Sequence, residues 1–69
     1  MKRHSSRELI QMIQDNGWYL VRVKGDHHQF MHPTKTGLVT IAHPNKDLPI
    51  KTQISILKQA GLGYAGKEE

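Results

Sequence analysis

Cysteine is absent from this 69-residue chain, and the aromatic side chains come to one tryptophan, one phenylalanine and two tyrosines. Without cysteine there is no disulfide framework and no thiolate metal site, which fits a reducing cytoplasm. No apolar run approaches the roughly 20 residues that cross a bilayer. The start, Met1-Lys2-Arg3-His4-Ser5, lacks the apolar segment of a secretory signal. A cytoplasmic protein with no membrane partner is therefore expected. Acidic residues are also few, six against ten lysines and arginines, for a net charge of +4. Without the segment from Gly63 onward, nine basic and four acidic residues remain, or +5. That balance points to an acidic partner, either nucleic acid or an acidic protein.

These scarcities exclude several chemistries. The acids before residue 63 are Glu8, Asp15, Asp26 and Asp47, too widely spaced to act as a carboxylate pair. No serine sits in a nucleophile-elbow pattern, and no glycine-rich loop follows a strand and opens a helix. The hydrophobic fraction, 36%, allows only a small core. One domain near the lower size limit for independent folding is expected, and such a domain gains stability from a partner.

What is present reads in order. Ser5-Ser6-Arg7-Glu8 has the form of a capping box, Leu9, Ile10, Met12 and Ile13 recur at helical spacing, and Asn16-Gly17 supplies a left-handed stop. A helix over residues 5–16 follows, its apolar side chains facing the core. Residues 18–24 and 27–32 read as two strands and 38–42 as a third, with a turn-rich loop over 33–37. Pro44 ends the third strand, since proline donates nothing to a sheet ladder. Pro49 opens a second helix whose stripe is Ile50, Ile54 and Leu57 and which closes at Ala60-Gly61. Residues 63–69 read as a frayed tail after a single domain over 1–62. The fold class is α+β in the order α-β-β-β-α: a three-stranded antiparallel meander with two helices on its apolar face.

Three of the five histidines lie between Lys24 and Pro33. Gly25-Asp26 is a two-residue hairpin loop, glycine supplying the positive φ of its first position. Cross-strand pairs are then Lys24 with His27, Val23 with His28, Arg22 with Gln29 and Val21 with Phe30. Alternation puts Lys24, Arg22, His27 and Gln29 on one basic face, and Tyr19, Val21, Val23, His28, Phe30 and His32 on a mostly apolar one. A metal site drawn from His27, His28, His32 and His43 is not expected, because His27 and His28 point to opposite faces. Histidine acid–base chemistry on RNA needs less machinery. The 2′-hydroxyl is an internal nucleophile, an imidazole exchanges protons near neutral pH, and Lys24, Arg22 or Lys46 would steady charge on the phosphate. The same histidines also fit plain polar strand positions, and the residues alone leave both readings open.

Four segments taken together carry a resemblance: Asn16-Gly17-Trp18, Arg22 to Phe30, Leu38 to Pro44 and Ile54 to Leu62. They resemble the HicA family of bacterial toxins, small mRNA-cleaving proteins of toxin–antitoxin pairs, over nearly everything from Glu8 to Leu62. The family pattern is Gly-Ser-His at a strand end with an aromatic three residues later, a downstream His-Pro, and a last helix ending Lys-Gln-Ala-Gly. Here Gly25-Asp26-His27 with Phe30, His43-Pro44 and Lys58-Gln59-Ala60-Gly61 match it, with Asp26 in place of serine. The resemblance implies a fold like the double-stranded-RNA-binding domain, ribonuclease activity from one histidine, and neutralisation by a HicB-type antitoxin; with no metal site expected from the histidines, the leading reading is a metal-independent endoribonuclease without a cofactor. The Gly-Ser-His pattern aligns His27, and some members place the histidine one position later, at His28; both stand as candidates. The competing readings are a non-catalytic RNA-binding module and a protein-interaction domain. The RNA-binding module is weakened because only Lys46 and Lys51 lie near the start of the last helix, where such modules cluster lysines.

Overall fold

A computed structural model describes residues 3–62. The elements are α1 (Ser6–Asp15), β1 (Tyr19–Lys24), β2 (His27–Met31), β3 (Val39–Ala42) and α2 (Ile50–Gln59), joined in the expected α-β-β-β-α order. The strands form one antiparallel sheet in the order β1-β2-β3. The tail read at 63–69 lies outside the described residues. Among the described residues no helix is long and apolar enough to cross a membrane.

Helix α1 begins as its sequence dictates. The Ser5 hydroxyl accepts from the Glu8 amide at 3.2 Å, and the Glu8 carboxylate accepts from the Ser5 amide at 2.9 Å, satisfying two amides that have no partner within the helix. Leu9 and Ile13 are fully buried, while Ile10 and Met12 lie at the margin of the core. At the other end Gly17 takes φ +98°. Its amide bonds to Gln14 O at 3.0 Å, and Trp18 N bonds to Ile13 O at 3.1 Å, the paired reversal that ends many helices. The turn delivers Trp18 into the core, where its indole N–H donates to Ala60 O at 3.1 Å. Lys35 Nζ reaches the same carbonyl at 3.2 Å. One oxygen at the end of α2 thus gathers the start of β1 and the loop after β2.

His32 belongs to this scaffold. It lies just past β2 with its ring edge-on to Trp18, its Nε2 2.8 Å from Asn16 O, and its Nδ1 accepting the amides of Thr34 and Lys35. Both ring nitrogens are used, so the N–H sits on Nε2 and the ring clamps the 33–37 loop to the end of α1.

The sheet departs from the expected register at one place. Lys24 pairs with His27, Val23 with His28 and Arg22 with Gln29, but a bulge at Val21 brings Leu20, not Val21, opposite Phe30, and Tyr19 opposite Met31. The extra residue is left without a partner. Both helices pack against β3. Phe30 is therefore buried while every residue of β1 is exposed, and Leu20 and Val23, though opposite Phe30 and His28, remain 45% and 51% exposed. The apolar face read from the sequence is covered over β2 and β3 and uncovered along β1.

Helix α2 corrects a second expectation. Its buried side chains are Gln53, Ile56 and Leu57, followed by Ala60, whereas Ile50 and Ile54 are only half-buried. The helix is turned so that the Gln53 carbonyl oxygen accepts the His4 amide, and a buried amide so satisfied occupies a core position.

Gly17 carries two constraints at once. A Cβ there would stand 2.8 Å from His32 Nε2, on a backbone conformation that disfavours L side chains. Gly17→Ala is expected to destabilise the fold by about 1–3 kcal/mol, measured by urea unfolding. An unchanged midpoint would mean that His32 is not clamped in this way.

Candidate active site

The β1–β2 turn closes with Gly25 at φ +61°, and alternation along β2 puts His27 and His28 on opposite faces. On the open face Lys24 lies across from His27, and Arg22 across from Gln29. His27 Nδ1 is 3.2 Å from Asp26 Oδ1, both side chains being more than 60% exposed, so the contact contributes little to stability. Among the described residues neither Lys24 nor Arg22 meets a carboxylate. They stand as two cations free for an anion, beside an exposed imidazole.

The helix-side face is built differently. His28 is half-buried between its strand partners Val23 and Ile41. Its Nδ1 is buried without a hydrogen-bond partner, and among the described residues no hydrogen bond engages Nε2. The ring lies edge-to-face with His43, centroids 5.0 Å apart and planes at 87°. His43 follows directly on β3, and its backbone amide donates to Asp26 O at 2.8 Å, tying it to the hairpin turn. Its Nδ1 is 2.7 Å from the Ser6 hydroxyl. Ser6, in the first turn of α1, is buried; its hydroxyl accepts the Asn45 amide at 2.8 Å, and its own amide donates to Asn45 O at 2.7 Å.

Of the residues singled out from the sequence, Lys24, Arg22 and His27 share the open face, and His28 stands on the other. Lys46 is exposed on the loop between β3 and α2, one residue past Asn45, and no hydrogen bond or ion pair joins it to Lys24 or Arg22. Among the described residues no three histidine or carboxylate side chains converge as a metal cage would require. Sequence reasoning passed over Ser6 and gave His43 no part in the chemistry. Ser6 reads as a spare member of the capping box, and His43 as the residue before a proline. The β2–β3 register, which pairs Ala42 with His27, sets the residue after β3 beside the hairpin turn, and the sequence carries no signal of it.

Comparison with known proteins bears on this arrangement. A family model described as HicA toxin of bacterial toxin-antitoxin matches residues 6–62. The chain belongs to the HicA toxin family. A solved structure titled as a toxin–antitoxin complex from Streptococcus pneumoniae contains a similar chain. The two are 28% identical with a TM-score of 0.69, the match covering 83% of this chain and 95% of that one. No curated protein sequence matches. The HicA match begins at Ser6 and so takes in the whole His28–His43–Ser6 cluster.

Removing the Ser6 hydroxyl leaves the Asn45 amide and His43 Nδ1 without their partner at a buried site. Ser6→Ala is expected to cost about 1–3 kcal/mol in chemical denaturation and to shift the ring nitrogen resonances of His43. Unmoved resonances would show that Ser6 does not hold the ring.

Proposed function

We propose that this HicA-family chain is an endoribonuclease that cleaves mRNA by transesterification, with His28 as a proton-transfer residue and no metal or cofactor. In this reaction the substrate's own 2′-oxygen attacks the adjacent phosphorus. A P–O2′ bond forms, the P–O5′ bond breaks, and the product carries a 2′,3′-cyclic phosphate. The protein has to move protons and stabilise charge on the phosphorane. The observation that carries the assignment is the packing of the His28 imidazole, which is half-buried between Val23 and Ile41 and edge-to-face with His43, whereas His27 is exposed and meets Asp26. Lys24 and Arg22, with His27, follow the RNA backbone along the open face, and Lys46 extends the basic surface on the neighbouring loop. The reaction takes place in the cytoplasm, where the substrate is.

Long RNA incubated with the purified chain in EDTA is expected to be cut. His28→Ala is expected to lower the rate at least about 100-fold, with an unchanged circular dichroism spectrum, while His27→Ala loses far less. The reverse order would move the chemistry to His27. Full activity in both folded variants would refute the histidine mechanism, and RNA binding without any cleavage would favour the non-catalytic module.

The partner in this reading is a HicB-type antitoxin that covers the histidine end of the sheet and the His43-Pro44 loop. The pneumococcal relative comes from a toxin–antitoxin complex, and β1 supplies a surface for such a protein. β1 is an edge strand with Leu20, Val21 and Val23 exposed and with Arg22 and Lys24 between and beyond them. A second copy of the chain placed there would set arginine and lysine against like charges, which opposes pairing. An acidic antitoxin strand would instead bury the apolar side chains and match the cations. Hydrogen exchange on the complex is expected to show protection over residues 19–32. Protection confined to α1 would exclude direct masking.

A further inference from the structure

Transesterification moves two protons, one off the 2′-oxygen and one onto the departing 5′-oxygen, and these oxygens lie on opposite sides of the phosphorus. The proposed function assigns one imidazole. We propose that His43 is the second proton-transfer residue, acting opposite His28, and that Ser6 is the positioning residue that holds its ring. The inference rests on the ribonuclease reading and adds to it a residue for which neither the sequence nor the family match supplied a role.

Three observations point the same way. First, the two rings are perpendicular with centroids 5.0 Å apart. The two imidazoles therefore stand together at one end of the helix-side face. Second, His43 gives Nδ1 to Ser6 and His28 buries Nδ1 without a partner, and among the described residues no hydrogen bond engages Nε2 of either ring. His32 is the contrast within the same molecule, since both of its nitrogens are bonded to the scaffold and it has none to offer a substrate. Third, the anchor of His43 is rigid. The Ser6 hydroxyl is buried and already accepts the Asn45 amide, so its orientation is fixed before it meets the imidazole. The backbone of His43 is in turn bonded to Asp26 O in the hairpin turn, which keeps the two rings together. A histidine with only a packing role requires neither a free nitrogen nor a hydroxyl orienting the other.

Proton accounting makes the pairing testable. One imidazole, unprotonated, takes the 2′-hydroxyl proton; the other, protonated, gives its proton to O5′. After release of the cyclic phosphate the two have exchanged states, and solvent restores them. If sulfur replaces the bridging 5′-oxygen, the leaving thiolate needs no proton. Loss of the general acid is then forgiven, and loss of the general base is not.

The experiment measures single-turnover cleavage of an oligonucleotide with one ribonucleotide, in matched 5′-oxygen and 5′-sulfur forms. The proteins are wild type, His28→Ala, His43→Asn, Ser6→Ala and the Ser6→Ala/His43→Asn double variant, each checked for folding by urea unfolding. Asparagine keeps a polar group toward Ser6, so His43→Asn remains folded where alanine fails. Both histidine variants are expected to lose at least about 100-fold on the oxygen substrate, and only one of them to recover most of that loss on the sulfur substrate. Ser6→Ala should follow His43→Asn, recovering or not recovering with it, and should add little further loss in the double variant; a purely structural serine would add its own loss to that of His43→Asn. Wild-type speed in His43→Asn, or recovery in both histidine variants or in neither, overturns the pairing and leaves the one-histidine reading intact. No cleavage of either substrate by wild type refutes the ribonuclease reading and the pairing with it.

Discussion

A single buried hydroxyl sets the geometry of this domain where the proposed catalytic residues are gathered. Ser6 stands where the first turn of α1 meets the loop leaving β3, and it is bonded there three ways: amide to Asn45 O, hydroxyl from Asn45 N, and hydroxyl to His43 Nδ1. Next to it, His4 completes the seam. Its carbonyl accepts the Leu48 amide at 3.3 Å and its amide donates to Gln53. A loop between a strand and a helix has many backbone groups without partners of their own. Here those groups are satisfied by the chain just ahead of α1 and by its first residue. The N-terminal segment and the second half of the domain, more than 35 residues apart in sequence, are joined by backbone pairing rather than by apolar contact alone. A small core gains from this, because directional bonds fix what a few apolar side chains would leave loose.

The same economy of core explains the shape of the sheet. Two helices of ten residues each do not cover three strands, and both sit over β3. β2 receives cover through Phe30, and β1 receives none. The bulge at Val21 follows the same division. Below it, Arg22, Val23 and Lys24 keep the register that the two-residue turn dictates; above it, Leu20 slips into place beside Phe30 so that Trp18 can enter the core. An uncovered apolar edge strand is a liability for a chain that stays alone, and it becomes a site of association for one that has a partner.

How far the sequence could be read followed from the range of the interactions involved. The capping box at Ser5 and Glu8, the Gly17 stop and the Gly25-Asp26 turn are decided within a few residues, and all three stand where local chemistry puts them. The hairpin register was legible for three pairs from the turn and failed at the fourth. Nothing in Tyr19-Leu20-Val21 distinguishes which apolar residue faces Phe30; that choice is made by Trp18 and the helix behind it. On α2, apolar spacing alone marked Ile50 and Ile54 and missed Gln53, which is buried because His4 supplies its hydrogen bond. The site divides in the same way. Lys24, Arg22, His27 and His28 were visible because they share one hairpin. Ser6 and His43 were not, because their meeting depends on a contact across 37 positions.

The opposed directions of His27 and His28 have a mechanistic consequence. The β1–β2 pairing and alternation along β2 place the permanent cations and the half-buried imidazole of His28 on different faces of the same strand end. A phosphate gripped by Lys24 and Arg22 in the middle of the open face would lie behind the sheet from His28. RNA that uses both must therefore cross the rim at the hairpin turn, where the face-to-face separation vanishes because the strands end. Gly25 suits that crossing. It has no side chain, nothing stands near the place where a Cβ would be, and its conformation is set by the turn. Chain direction at the rim would then place the backbone phosphates on the lysine and arginine side and the scissile group on the histidine side. On the proposed reading, a domain with only a small core separates gripping its substrate from reacting with it by using the two faces of one strand end.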